Sequence, residues 1–157
     1  MKIAFITGGI PNPYTSGGAQ TAHGMIESLR LHGHEVRVLA LLGEHEVSAK
    51  VDKGDIDWLP VLRYRTLNPV KHFLPSAHCR RHVKDWLDWE RPDLIVGYHW
   101  DALAALPRVK IPVVCGLGDP MKPRWLMRWL LRKVDRAGMF AAHHALEFEL
   151  EYWRTPI

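Results

Sequence analysis

The hydrophobic pattern of this chain changes period near its start, and the change falls across two adjacent glycines, Gly17 and Gly18. Before them, Met1 to Ile6 is short, apolar and rich in Ile and Phe, as a strand buried on both faces of a parallel sheet should be. After them, Ala19, Ala22, Ile26 and Leu29 recur at helical spacing, and Gly33 stands where a helix of that length would end. Strand, glycine loop and amphipathic helix in that order constrain the fold strongly, because a parallel strand needs a crossover helix before its partner. A glycine pair opening a helix leaves bare N–H groups at the positive end of the helix dipole, with no Cβ to block an anion. Two readings of the pair stand at this point: a phosphate cradle, or glycines that only make the turn.

The rest of the chain repeats the alternation. Val36 to Leu42 reads as a second strand and Asp57 to Leu62 as a short third. Arg63 to Pro75 reads as an irregular connector. Ser76 caps a predicted helix to about Glu90, whose inner face would be Cys79, Val83, Trp86 and Leu87. Strands follow at Leu94–Tyr98 and Ile111–Cys115, with a short helix over Asp101–Leu106 between them. A strong helix is expected over Arg124–Arg136, then a strand over Gly138–Ala142 and a last helix over Ala145–Trp153. This pattern predicts an α/β fold: a Rossmann-like, doubly wound parallel sheet with helices on both faces. Such sheets bind ligands beyond the carboxyl ends of their strands, which directs attention to the loops Gly8–Gly18, His99–Asp101 and Gly116–Lys122.

A chain of 157 residues is expected to be a single domain with a proper core. No apolar run approaches the roughly 20 residues of a membrane-spanning helix. Only two cysteines, Cys79 and Cys115, are present, without metal-ligand spacing, so free thiols in a reducing cytoplasm are expected. The net charge of +4 suits anionic sugars, phosphates or a membrane surface, and no nucleic-acid motif accompanies it. Gly-x-Ser-x-Gly, a Walker loop and the Gly-x-Gly-x-x-Gly fingerprint are all absent, which weighs against a hydrolase of that type, a P-loop enzyme and a dehydrogenase.

Three segments resemble the N-terminal domain of retaining GT-B glycosyltransferases of family 4. The first is Lys2-Ile-Ala-Phe with Tyr14 to Gly18 and the turn Gly33-His-Glu-Val; the second is Arg91-Pro-Asp-Leu-Ile-Val-Gly-Tyr-His-Trp; the third is Val134-Asp-Arg-Ala-Gly-Met-Phe-Ala-Ala-His, with His143 where the family usually has serine. They span nearly the whole chain in the family's order. The resemblance implies one half of a GT-B fold. In it, Gly17 and Gly18 would approach a nucleotide-sugar diphosphate or the acceptor, and His99 would serve the transferred sugar as the catalytic residue. Trp100 and Asp119 would contact the acceptor. It also implies transfer with retention to a hydroxyl acceptor, with no cofactor and no metal. The family's C-terminal domain, which holds most of the nucleotide, has no counterpart in these residues. The expectation is therefore a piece of a larger enzyme, or one subunit of a split enzyme, that is inactive alone. Two alternatives are a non-catalytic Rossmann-like module binding a nucleotide or partner subunit, and half of a GT-B epimerase.

Further features have competing readings. Arg124, Arg128, Arg132 and Arg136 recur every four residues beside Trp125 and Trp129. That helix would either lie on an anionic membrane, making the protein cytoplasmic but peripheral to the inner face, or cover the sheet with Leu126, Leu130 and Val134 inward. His78 and His82 lie four apart, but the stretch His-Cys-Arg-Arg-His has no Glu of the metalloprotease kind and two adjacent cations. The residues predict a solvated helix face there and no metal.

Overall fold

The computed structural model describes residues 1–42, 56–60, 75–117 and 124–139. Its sheet is built from β1 (Lys2–Thr7), β2 (Glu35–Leu42), β3 (Asp57–Pro60), β4 (Leu94–Tyr98), β5 (Val113–Leu117) and β6 (Arg136–Met139). The spatial order is β3-β2-β1-β4-β5-β6, and every neighbouring pair is parallel. Helices α1 (Gly17–Leu31), α2 (Ala77–Glu90), α3 (His99–Ala105) and α4 (Arg124–Leu131) complete the described elements. This is the doubly wound order, reversing direction between β1 and β4.

Alternate residues of each strand feed two cores, one per face. Ile3 and Phe5 of β1, Val36 and Val38 of β2, and Val96 and Tyr98 of β4 pack with Ala22 and Ile26 of α1. On the opposite face Ala4, Ile6, Leu39, Leu41 and Ile95 pack with Val83 and Leu87 of α2, Leu103 of α3, and Leu126 and Leu130 of α4. A strand wrapped by apolar layers on both sides must itself be apolar throughout, which is why β1 reads as a continuous run.

The helix ends follow local chemistry. The Ser16 hydroxyl accepts from the Ala19 N–H at 3.4 Å, and Ser76 accepts from the Cys79 N–H at 3.1 Å. Helix α1 closes with His34 N–H on the Leu29 carbonyl and Gly33 N–H on the Arg30 carbonyl, with Gly33 at φ +78°. That paired geometry requires a left-handed residue, which glycine adopts without a Cβ clash.

Far from the carboxyl ends, Glu90 sits buried at the end of α2 and takes the Lys2 ammonium at 2.8 Å and the Arg37 guanidinium at 3.3 Å. Burial alone would raise its carboxyl; the hydrogen bonds from Lys2 and Arg37 overcome this and hold it below the usual value. Cys79 and Cys115 are both buried free thiols, with Cys79 pushed up to about 11 and Cys115 raised by desolvation.

Several boundaries differ from expectation. Helix α4 ends at Leu131 rather than Arg136, because the chain turns and Asp135 fastens the start of β6 to β5. The Val113 N–H donates to Asp135 Oδ2 at 2.7 Å, and the Asp135 N–H donates to the Val113 carbonyl at 2.8 Å. The four-step arginine ladder is therefore broken: Arg132 lies beyond the helix and Arg136 lies in a strand. Leu126 and Leu130 are buried, as the sheet-covering reading requires, while Trp125 and Trp129 stay 55% and 39% exposed. Strand β5 runs Val113–Leu117, two residues later than Ile111–Cys115, since Pro112 has no N–H for the ladder. Helix α3 begins at His99, two residues before Asp101. Most of the Arg63–Pro75 connector and the expected helix over Ala145–Trp153 lie outside the described residues. Among the described residues no helix is long and apolar enough to cross a membrane.

Candidate functional site

The sheet's change of direction opens a crevice at the carboxyl ends of β1 and β4. Thr7 and Tyr98 are register partners and the last residues of those strands. From Thr7 the chain leads to α1 on one face; from Tyr98 it enters α3 on the other. Between them lies a cleft of about 400 Å³, walled by Thr7 to Ile10, Asn12, Thr15, Ser16, Gly18, Ala19, Tyr98, His99 and Asp101. Its position is the one at which doubly wound sheets bind ligands.

The loop after β1 is fastened along its length. Gly9 N–H donates to the Leu41 carbonyl at 3.0 Å, and Asn12 N–H to the Ala19 carbonyl at 3.2 Å. The Asn12 Oδ1 accepts from the Tyr14 N–H at 2.8 Å, an Asx turn that reverses the chain toward the helix. Ser16 then takes the Ala19 N–H, and the first main-chain helical bond is Gln20 N–H to the Ser16 carbonyl at 2.9 Å. Gly17 and Gly18 hold the first two helical positions, before that bond, where N–H groups point out of the helix end. Neither has the positive φ that would demand glycine. A Cβ on Gly17 would meet nothing within 4 Å, and one on Gly18 would meet only the Tyr98 hydroxyl at 3.9 Å. The turn therefore does not need these glycines. What they leave is open space over two donor groups.

His99 faces this helix end from the other side of the cleft. It is the first residue of α3 and takes φ +73°, a left-handed conformation costing roughly 1–3 kcal/mol for a residue with a Cβ. Its Nδ1 lies 3.7 Å from Asp101 Oδ2, close enough for an ion pair but too long for a hydrogen bond. The imidazole is 32% exposed, so it is open to a ligand in the cleft. Tyr98 is buried between these features, its ring stacked on Phe5 at 6.5 Å between centroids. A cleft with helix N–H donors on one wall and an imidazole on the other can hold an anion and a hydroxyl-bearing group side by side.

Of the residues singled out in the sequence, the structure brings Gly18 and His99 onto the same cleft, with Gly17 next to Gly18 at the helix start. Trp100 does not line it; its indole is half-buried against the core on the α2–α4 face. Asp119 lies outside the described residues. Tyr98 and Asp101 were not singled out, although the loop His99–Asp101 was; Asp101 carried a usable signal as an acidic residue in the first turn of a helix at a strand end. Among the described residues no three His, Cys, Asp or Glu side chains gather as metal ligands.

Residues 15–145 match the family model for Glycosyltransferase Family 4. No curated protein sequence matches. Among solved structures, the fold is similar to the apo form of the lipopolysaccharide outer core galactosyltransferase WaaB, at 14% identity and a TM-score of 0.59 over 87% of this chain and 38% of that one. It is similar to the UDP-GlcNAc 2-epimerase from Methanocaldococcus jannaschii, at 12% identity and a TM-score of 0.60 over 97% of this chain and 44% of that one. It is also similar to α-glucosyltransferase (AGT) in complex with UDP, at 12% identity and a TM-score of 0.58 over 100% of this chain and 40% of that one. The chain thus spans about two fifths of the length of these structures.

Proposed function

The chain belongs to glycosyltransferase family 4, and we propose that it is the N-terminal, acceptor-side half of a GT-B enzyme that transfers a sugar from a nucleotide-diphosphate sugar to a hydroxyl acceptor with retention. The observation that carries this reading is the pairing across one cleft of the uncovered Gly17–Gly18 helix end with the strained, open His99. The two glycine N–H groups would hold a phosphate oxygen of the donor or an anionic acceptor group. The His99 imidazole would hydrogen-bond a sugar hydroxyl beside the reacting carbon, and the backbone strain at His99 is the kind that persists where position matters. Charge developing on the leaving diphosphate would be met by the helix end and main-chain donors, so the reading asks for no metal. Asp119 remains assigned to the acceptor side, whereas Trp100, packed against the core on the α2–α4 face, does not. Efficient transfer would further need the second GT-B domain, in the same chain or as a partner, to close on the donor. The reading does without a membrane contact, since the arginine ladder that would carry it ends with α4 at Leu131.

The test is isothermal titration of this chain with UDP-, GDP- and ADP-sugars, alongside a Gly17→Val, Gly18→Val double variant. UDP-sugars come first because the similar α-glucosyltransferase was solved with UDP. Open space at both positions means that the variant should fold. Binding to the wild type that is lost in the folded variant is the expected result. Equal binding by both overturns the assignment of the glycine pair.

A further inference from the structure

The structure adds to α2 something its sequence did not show. His78 and His82 are both exposed, and their Nε2 atoms converge to 2.9 Å, with ring centroids 4.2 Å apart and planes at 85°. Two ligands bound at about 2.05 Å and at right angles to one another are about 2.9 Å apart, the edge of an octahedral or square coordination sphere. A tetrahedral zinc centre would spread the same pair to about 3.3 Å. We propose that His78 and His82 form a two-point chelate for a borderline divalent cation of the Ni²⁺ and Cu²⁺ class, with water filling the other positions. Imidazole nitrogen suits these ions, and they favour tetragonal or octahedral geometry.

Without the metal, one Nε2–H donates to the other ring's lone pair. On binding, the donor ring moves its Nε2 proton to Nδ1, so that both Nε2 lone pairs meet the cation; no proton need leave a neutral pair. The helix does the pre-organising, because residues four apart stand one above the other on the same face. The buried faces of α2, through Cys79, Val83 and Leu87, hold that backbone in place. The arginines between the histidines, partly buried Arg80 and exposed Arg81, both oppose the cation, so the chelate geometry must outweigh them.

The probe is Ni²⁺ alone, titrated calorimetrically into the untagged, chelator-stripped chain at pH 7.5, with Mg²⁺ as control. The chain has 10 histidines, so the variants are His78→Ala, His82→Ala and, as control, His143→Ala with His144→Ala. The expected result is one saturable Ni²⁺ site that is weakened at least ten-fold by either single variant and changed less than two-fold by the control pair. Binding should weaken progressively as the solution is acidified, because protons compete with the cation for the ligating nitrogens. A loss below ten-fold in either single variant, or no Ni²⁺ binding at millimolar metal, overturns the proposal. Should an alanine variant lose its helical signal, the wild type decides: paramagnetic broadening must strike the His78 and His82 ring resonances first, and broadening that begins elsewhere sinks the idea.

Discussion

Gly8 and Asp101 meet across the cleft floor so closely that a Cβ built on the glycine would lie 3.0 Å from the aspartate Cβ and 3.1 Å from its Oδ2. The first residue after β1 thus sets how near the first turn of α3, and His99 with it, can approach. Gly8→Ala should push Asp101 outward. We expect a loss of about 1–2 kcal/mol in stability, read as the shift of a urea unfolding midpoint. If a sugar nucleotide binds the wild type, its affinity should fall by more than the stability does.

The backbone at His99 offers a second check. His99→Gly relieves the left-handed strain, whereas His99→Ala keeps it. The glycine variant should therefore be more stable than the alanine variant by about 1 kcal/mol, and both should lose the imidazole's contribution to the site. Equal midpoints for the two in urea would mean that His99 does not hold φ +73° in solution.

Glu90 should make the fold sensitive to acid. Its folded carboxyl titrates below its ordinary value of 4.5, so the native state gives up this proton more readily than the unfolded chain does. The stability it contributes is full above the ordinary carboxylate range and is lost as pH falls through the lowered folded value. Glu90→Gln should cost about 1–3 kcal/mol at pH 7, since the buried group loses two charged partners. It should also flatten the fall in stability below the ordinary value of 4.5 in a series of urea melts.

Lys133 gives a slope of the same sign in the alkaline range, because its folded pKa is lowered too. Its Nζ donates to the Leu106 carbonyl at 2.7 Å and the Leu103 carbonyl at 3.4 Å, closing the carboxyl end of α3. Burial, then the charges of Arg80 and Arg108, lower it from 10.5 to about 8. The unfolded chain therefore holds the proton more tightly between those values, and stability should rise as pH climbs from about 8 toward 10.5. Lys133→Met should remove that slope, which melts at stepped alkaline pH would measure.

Much of this was legible in the residues because it is local. The β1–Gly17–α1 unit, the Ser76 cap and the alternation behind a parallel sheet follow from hydrophobic period and capping chemistry, which act over a few residues. The end of α4 was not legible: Arg132 to Arg136 continues a helical spacing, and only the bonds between Asp135 and Val113, from a different strand, override it. The site divides in the same way. Gly17, Gly18 and His99 stand out in sequence, each at a strand or helix end, and the carboxyl-end rule places them near one crevice. Trp100 beside His99 looked equally suited to that crevice, yet the turn into α3 sends its indole to the core. The sequence by itself determined the elements and their order, because propensity, period and capping are written within each segment. The tertiary structure alone decided which side chains share the cleft, that Gly8 must yield its Cβ to Asp101, and that two surface histidines point at each other. Those depend on distances between segments far apart in the chain, and on rotamers that no local pattern encodes.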